Sequence, residues 1–284
     1  QNENAMRRVL NAARSVATND IKFAIQLGHA GRKASHHVPW QGGRALSKEE
    51  DAWITSSPSA LPFTQGSPIP EALDADEMQN IKQSFVNAAK RAVRLGFSAI
   101  ELHGAHGYLI HEFISPISNQ REDEFGGSLD NRLKFPLEIF DDVRKVVPSD
   151  IALGLRLTGT DWRDDGLSVE DGKNVATSFE AHGADYLCIS SGGITTGLKI
   201  PVGPNYQVHL AKGIKDVVSI PVRAVGLITT AEQANDIILN GEADMVALAR
   251  AFLANPRWGW DASVALQQPI EVPPQYERAY KVPQ

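Results

Sequence analysis

One unit recurs along this chain and restricts its fold more than any other feature: an apolar run, a polar turn carrying glycine, then a stripe of apolar residues at helical spacing. The apolar runs lie at 21–27, 99–102, 151–157, 185–189, 220–225 and 244–249. Each is short enough to be a buried strand rather than a helix. Between them, Met78, Ile81, Phe85, Ala88 and Ala92 form a stripe that opens at Asp74 with Glu77, a capping box, and stops at Gly96. Leu133, Leu137, Phe140 and Val143 form the next, expected to begin near Lys134 because Pro136 is awkward beyond a first turn. Ser168 with Asp171 caps a helix carrying Val175 and Phe179 that ends at Gly183, a shorter helix covers 206–214, and Thr229 or Thr230 caps one carrying Ala234, Ile237 and Ile238. An initial helix carries Met6, Val9, Leu10, Ala13 and Val16 and is broken at Asn19-Asp20. His182-Gly183-Ala184-Asp185 is echoed by Gly241-Glu242-Ala243-Asp244, each marking a helix that ends in glycine before a strand.

Strands alternating with helices mean a parallel α/β sheet, either closed into a barrel or open and doubly wound. No G-x-G-x-x-G opens the first helix, which counts against a dinucleotide-binding open sheet. A (β/α)8 TIM barrel takes ~250 residues, or about 30 per unit. The expectation is therefore a parallel barrel of which this chain supplies six βα units, strands 3 to 8, in a single domain over residues 1–284, since no composition shift marks a boundary.

Bulk properties narrow the function. A chain of 284 residues with 42% apolar composition can bury a large core. A net charge of -6 argues against nucleic-acid or anionic-membrane partners, and no stretch approaches a membrane span of ~20 apolar residues. The single Cys188 excludes an internal disulfide and any multi-cysteine zinc or iron–sulfur site held by this chain alone. These features fit a cytoplasmic protein.

Parallel α/β folds place their chemistry at the carboxyl ends of strands. The strand 99–102 is followed at once by His103, His106 and Tyr108. Two imidazoles there could polarise a carbonyl oxygen and a phenol beside them could deliver a proton; alternatively one histidine caps a strand end and Tyr108 is core. A metal site with His29 as third ligand is not expected, since no carboxylate stands at ligand spacing. Gln26 and Arg156 sit at strand ends, where an amide and a guanidinium suit the polar edge of a planar heterocycle, or merely a salt bridge. The turns Val225-Gly226-Leu227 and Ala249-Arg250-Ala251 follow the last two strands, where many barrels hold a phosphate. The polar stretch 119–132, with Gly126-Gly127, reads as a lid, and the long connection to Pro70 reads as functional.

The stretches IQLGHAGRKAS, ELHGAHGYLIHEFISPISNQREDEFGGSLDNR, AVGLIT, ALARAFLANP and PPQYERAY, with the strand bearing Arg156, resemble the Old Yellow Enzyme family of FMN-dependent ene-reductases, in its bacterial NADPH dehydrogenase or xenobiotic reductase branch. The resemblance covers essentially the whole chain in the family's order. It implies a barrel holding FMN, with Gln26 and Arg156 at the isoalloxazine ring, and Arg250, the Ala249 backbone and the Gly226 turn at the phosphate. It further implies that His103 and His106 bind the carbonyl oxygen of an α,β-unsaturated substrate, that Tyr108 donates the proton and that NADPH or NADH is the reductant. Arg278 matches an arginine that reaches a neighbouring subunit's site, which implies a homo-oligomer, a dimer or tetramer. Family members begin with two further βα units, the first carrying flavin-facing residues that include a cysteine in this branch. The expectation is that the intact protein has them, because a barrel without strands 1 and 2 leaves unpaired edges.

Two other readings are distinguishable. A dienoyl-thioester reductase of the same superfamily requires a cysteine-bound cluster and a further flavin domain, which these residues do not encode. A non-catalytic or inactive flavin- or small-ligand-binding barrel fragment would keep flavin yet lose nothing on replacement of His103 and His106.

Overall fold

The computed structural model describes residues 2–17 and 21–280. Helix α1 (Asn2–Arg14) leads to strand β1 (Ala24–Leu27). In the long connection that follows, two short strands, β2 (Ser56–Ser57) and β3 (Glu71–Ala72), pair parallel. Then come α2 (Ala75–Leu95), β4 (Ala99–Gly104), α3 (Leu109–Ile114), α4 (Leu129–Arg144), β5 (Ala152–Thr158), α5 (Val169–Ala181) and β6 (Tyr186–Ser190). The chain continues through α6 (Val208–Lys215), β7 (Val222–Val225), α7 (Ala231–Leu239), β8 (Met245–Ala247), α8 (Arg250–Ala254), α9 (Trp258–Ala265) and α10 (Glu277–Tyr280). Six strands form one sheet in the order β1-β4-β5-β6-β7-β8, every pair parallel.

The sheet curls as a barrel wall does. A flat sheet would hold β4 and β7 about 14 Å apart, yet the guanidinium of Arg223 on β7 meets the carboxylate of Glu101 on β4. On the outer face Ile100, Leu102, Leu153, Leu155, Leu187 and Ile189 pack under Phe140 of α4 and Phe179 of α5, all buried. At roughly 1.5–3 kcal/mol for each large side chain removed from water, this layer holds the helices on the sheet. The inner face carries Gln26, Glu101, His103, Arg156, Tyr186, Cys188 and Arg223 and is polar, with Gln26 Nε2 donating to Glu101 Oε1 at 2.7 Å.

Local signals set most boundaries. Asp74 with Glu77, Ser168 with Asp171 and Thr230 with Gln233 each form a reciprocal capping box. The repeated aspartates have one shared role: the Asp185 carboxylate accepts from Leu153 N at 2.7 Å and that of Asp244 from Val222 N at 2.9 Å, each clamping the start of the preceding strand.

Four expectations are corrected. Strand β1 spans Ala24–Leu27 rather than 21–27. Helix α4 begins at Leu129, capped by Ser128 and with Pro136 inside it; the burial of Phe135, Ile139, Phe140 and Val143 outweighs a proline penalty of about 3 kcal/mol. Of the α1 stripe only Leu10 is buried, while Met6, Val9 and Val16 are exposed, because α1 packs mainly along α2 and one side of it meets no other element; the Asn19-Asp20 break lies outside the described residues. The stretch 119–132 is anchored rather than a lid: buried Asn119 donates to the carbonyls of Phe113 and Phe125, and buried Arg132 to that of Ile114.

Candidate active site

His103 lies in β4, one residue before its end, with its side chain on the inner face and Arg156 as its register partner on β5. The chain then turns through His106 and Gly107, both left-handed at φ 61° and 70°. That turn brings the His106 ring back over His103, with ring centroids 5.0 Å apart and His106 Nδ1 at 3.3 Å from His103 Nε2. His106 Nε2 lies 2.6 Å from Ser190 Oγ at the end of β6. Tyr108 caps α3 with its ring centroid 5.0 Å from that of His103. Lys33 donates to the carbonyls of His106 and Gly193 at 2.8 and 3.1 Å, and its ammonium stands 5.2 Å from the Tyr108 ring centroid. The three sequence-singled residues therefore form one cluster.

Its electrostatics keep both imidazoles uncharged near neutral pH. Burial, with the Arg156 guanidinium second, depresses His103 to about 4 and His106 to about 3. A neutral imidazole has one N–H, so its tautomer decides which neighbour it serves. Below the turn, the Glu112 carboxyl is pushed up to about 8 by burial, an effect that Arg32 opposes, and it accepts from Arg32 N at 2.9 Å.

A pocket opens beside His106, lined by Arg156, Ser190, Ser191, Gln207 and the turns carrying Gly226, Ala249 and Arg250. Gly226 has φ 129°, and a Cβ there would come within 2.7 Å of Gln207 Nε2 and 3.1 Å of the Tyr206 ring. Gln207 ties the wall together, accepting from Ser191 Oγ at 2.6 Å and donating to Val225 O at 2.9 Å. Two buried atoms at this end of the sheet have no hydrogen-bond partner among the described residues, Arg156 Nε and His103 Nδ1.

Of the residues singled out from sequence, His106, Arg156, Gly226, Ala249 and Arg250 line this one pocket, with His103 and Tyr108 packed against His106 or its partner ring. Gln26 shares the inner face but lies one layer deeper, beside Glu101. Arg278 is exposed on α10, whose Tyr280 packs on Trp260. Sequence reasoning missed Lys33, Ser190, Ser191 and Gln207; only Lys33, in the strand-end loop after Gln26, carried a signal.

The model of the NADH:flavin oxidoreductase / NADH oxidase family matches residues 2–268. The chain belongs to this family. It is 41% identical over 266 residues to an NADPH dehydrogenase of Geobacillus thermodenitrificans, covering 94% of this chain and 73% of that protein. Among solved structures it is similar to a variant of morphinone reductase in complex with tetrahydroNAD, with TM-score 0.70 and 26% identity over 93% of this chain and 70% of the other. Histamine dehydrogenase from Rhizobium sp. 4-9 superposes with TM-score 0.70 at 29% identity over 86% of this chain, which spans only 34% of that protein's length. The six parallel strands are thus wall strands of a TIM-barrel flavoenzyme, and family membership makes this an NAD(P)H-dependent flavin oxidoreductase with FMN as cofactor. The lining fits that group: Arg156 carries a buried Nε with no partner among the described residues, and beside Arg250 the Gly226 turn leaves no room for a side chain.

Proposed function

We propose that this protein is an ene-reductase, reducing the activated C=C bond of α,β-unsaturated carbonyl compounds. The observation that carries the reading is the facing of His106 Nδ1 and His103 Nε2 across 3.3 Å. If both nitrogens carry protons they need a shared acceptor, and a carbonyl oxygen entering between them accepts from both. In that tautomer His106 Nε2 accepts from the Ser190 hydroxyl, 2.6 Å away, a partner that serves either tautomer because a hydroxyl both donates and accepts.

FMN, when bound, supplies the hydride it has taken from NADPH or NADH. Arg156 and Gln26 would hold its ring edge, and Gly226, the Ala249 backbone and Arg250 its phosphate. The two imidazole N–H groups draw electron density from the enone, which makes the β-carbon electrophilic, and they stabilise the negative charge that develops on oxygen. Donors placed where charge develops contribute ~10²–10³ each in rate. Tyr108, against the His103 ring, donates the proton to the α-carbon. Arg278 and a homo-oligomer belong to the same proposal: exposed on the terminal helix, Arg278 would complete the site of a neighbouring copy.

Purified protein should carry a flavin absorption band and oxidise NADPH when given 2-cyclohexen-1-one. Replacement of His103 and His106 by Ala should retain the flavin and lower kcat/KM by at least ~10²-fold. A colourless protein that cannot be loaded with FMN would overturn the reading, and an unchanged rate in the double variant would favour a ligand-binding barrel instead.

A further inference from the structure

We propose that His111 and Asp161, beneath the site, are positioning residues that hold the His106–Gly107 turn in the shape the histidine pair requires. The functional consequence rests on the reading of that pair as a carbonyl-binding site; the geometry stands by itself. Two successive residues lie in the left-handed region, and one of them, His106, carries a Cβ that this conformation strains. Such a conformation persists only where its surroundings over-determine it.

His111 supplies that constraint. Gly107 N–H donates to His111 Nδ1 at 2.8 Å. His106 N–H lies 3.4 Å from Thr158 Oγ1, and the Thr158 hydroxyl lies 3.4 Å from the same His111 Nδ1. One imidazole nitrogen thus collects both amides of the turn, directly and through Thr158. Because Nδ1 accepts, the ring proton is on Nε2, which stands 2.9 Å from Asp161 Oδ1 in a close polar contact whose angle falls short of a hydrogen bond.

Asp161 in turn is fixed from two further sides: its Oδ2 accepts from Ser115 Oγ at 2.6 Å and Leu167 N at 2.9 Å. Burial pushes the Asp161 carboxyl up, but the facing His111 and these donors leave it below its ordinary value. His111, Ser115 and Asp161 are each 0% exposed, so water cannot substitute for any lost partner. The Gly107 amide fixes the imidazole tautomer, the carboxylate beside Nε2 holds the ring in place, and the ring holds the turn that aims His106. None of these buried groups lines the pocket, so their hydrogen bonds act on it through the turn.

Amide hydrogen exchange on the FMN-loaded, full-length protein tests this without reference to turnover. His111→Leu keeps the bulk and removes the hydrogen bond to Gly107 and the contact with Asp161; it should speed exchange at Gly107 by about 100-fold while amides of β5 and β6 keep their protection. His111→Gln can accept with Oε1 and donate with Nε2, and should restore protection at Gly107. In the Leu variant the His106 imidazole should titrate about one unit higher as it becomes hydrated, and KM for 2-cyclohexen-1-one should rise about tenfold at unchanged flavin content. Unchanged Gly107 exchange in His111→Leu, or equal losses in the Leu and Gln variants, would overturn the proposal. If the Leu variant does not fold, Thr158→Val decides: faster exchange at His106 with Gly107 still protected is expected, and no change at His106 overturns it. A wild-type protein that reduces no enone would remove the functional reading while the exchange data still decide the role of His111.

Discussion

Ser190 ends β6 with its hydroxyl 2.6 Å from His106 Nε2, joining two segments 84 residues apart in sequence. The contact holds the His106 ring against the wall of the pocket. Ser190→Ala should therefore loosen the orientation of the ring. We expect kcat/KM for an enone to fall about tenfold, equivalent to ~1.4 kcal/mol for one lost hydrogen bond to a buried group. Steady-state kinetics on preparations of equal flavin content would check it, and an undiminished kcat/KM would show that the ring is held by other contacts.

Gly226 combines φ 129° with contacts that leave no space for a methyl group beside Gln207 and Tyr206. Gly226→Ala should displace Gln207 from Val225 O and weaken FMN binding by at least about tenfold, with a stability cost on the order of 1–3 kcal/mol. Quenching of flavin fluorescence on titration of the apoprotein gives the affinity, and thermal unfolding gives the cost.

Stability should peak near pH 6.5. His103 and His106 titrate at about 4 and 3 in the fold against an ordinary value of 6.5. The unfolded chain therefore binds more protons between those values, and the pair's stabilisation is lost as pH falls below 6.5. Glu112 works in the opposite sense: its folded value of about 8 lies above an ordinary 4.5, so its contribution is present at low pH and is lost as pH rises from 4.5 through 8. Each group changes stability by up to about 1.4 kcal/mol per pH unit within its window. Below 6.5 the two histidines outnumber the one carboxyl, and above it only Glu112 acts. Thermal unfolding against pH should show this maximum, and Glu112→Gln should abolish the decline between pH 6.5 and 8.

Asp185 and Asp244 each tie the start of one strand to its neighbour, accepting from Leu153 N and Val222 N, and each also pairs with a cation, Arg144 or Lys215. Asp185→Asn and Asp244→Asn should each cost about 1 kcal/mol, because an amide can still accept but loses the charge. The double variant should show near-additive losses, since separate strand pairs carry the two contacts. Denaturant unfolding measures both.

The repeated aspartates also show what a sequence can reveal. Their positions after Gly183 and Gly241 were visible as an echo, and capping boxes such as Asp74 with Glu77 were visible as spacing, because both act within a few residues. His103, His106 and Tyr108 were visible for the same reason: six residues hold all three at a strand end. Their partners were not. Ser190, Gln207, Thr158 and Asp161 come from other βα units, and nothing local to a serine or glutamine announces that it will face a histidine. The α1 stripe and the 119–132 stretch misled in complementary ways, since apolar periodicity does not say whether a partner surface is present and polarity does not say that a side chain is exposed. Asn119 is buried because its amide satisfies two carbonyls.

The sequence by itself determined the alternation of strand and helix, the parallel sheet and the end of the sheet where polar side chains collect. Each follows from periodicity and capping, which are properties of neighbouring residues. Only the tertiary structure decided which imidazole nitrogen meets which hydroxyl, that a buried His111–Asp161 pair underlies the turn, and that Glu101 reaches Arg223. Those contacts depend on strand register and on the curl of the sheet, which arise from the packing of whole elements against one another.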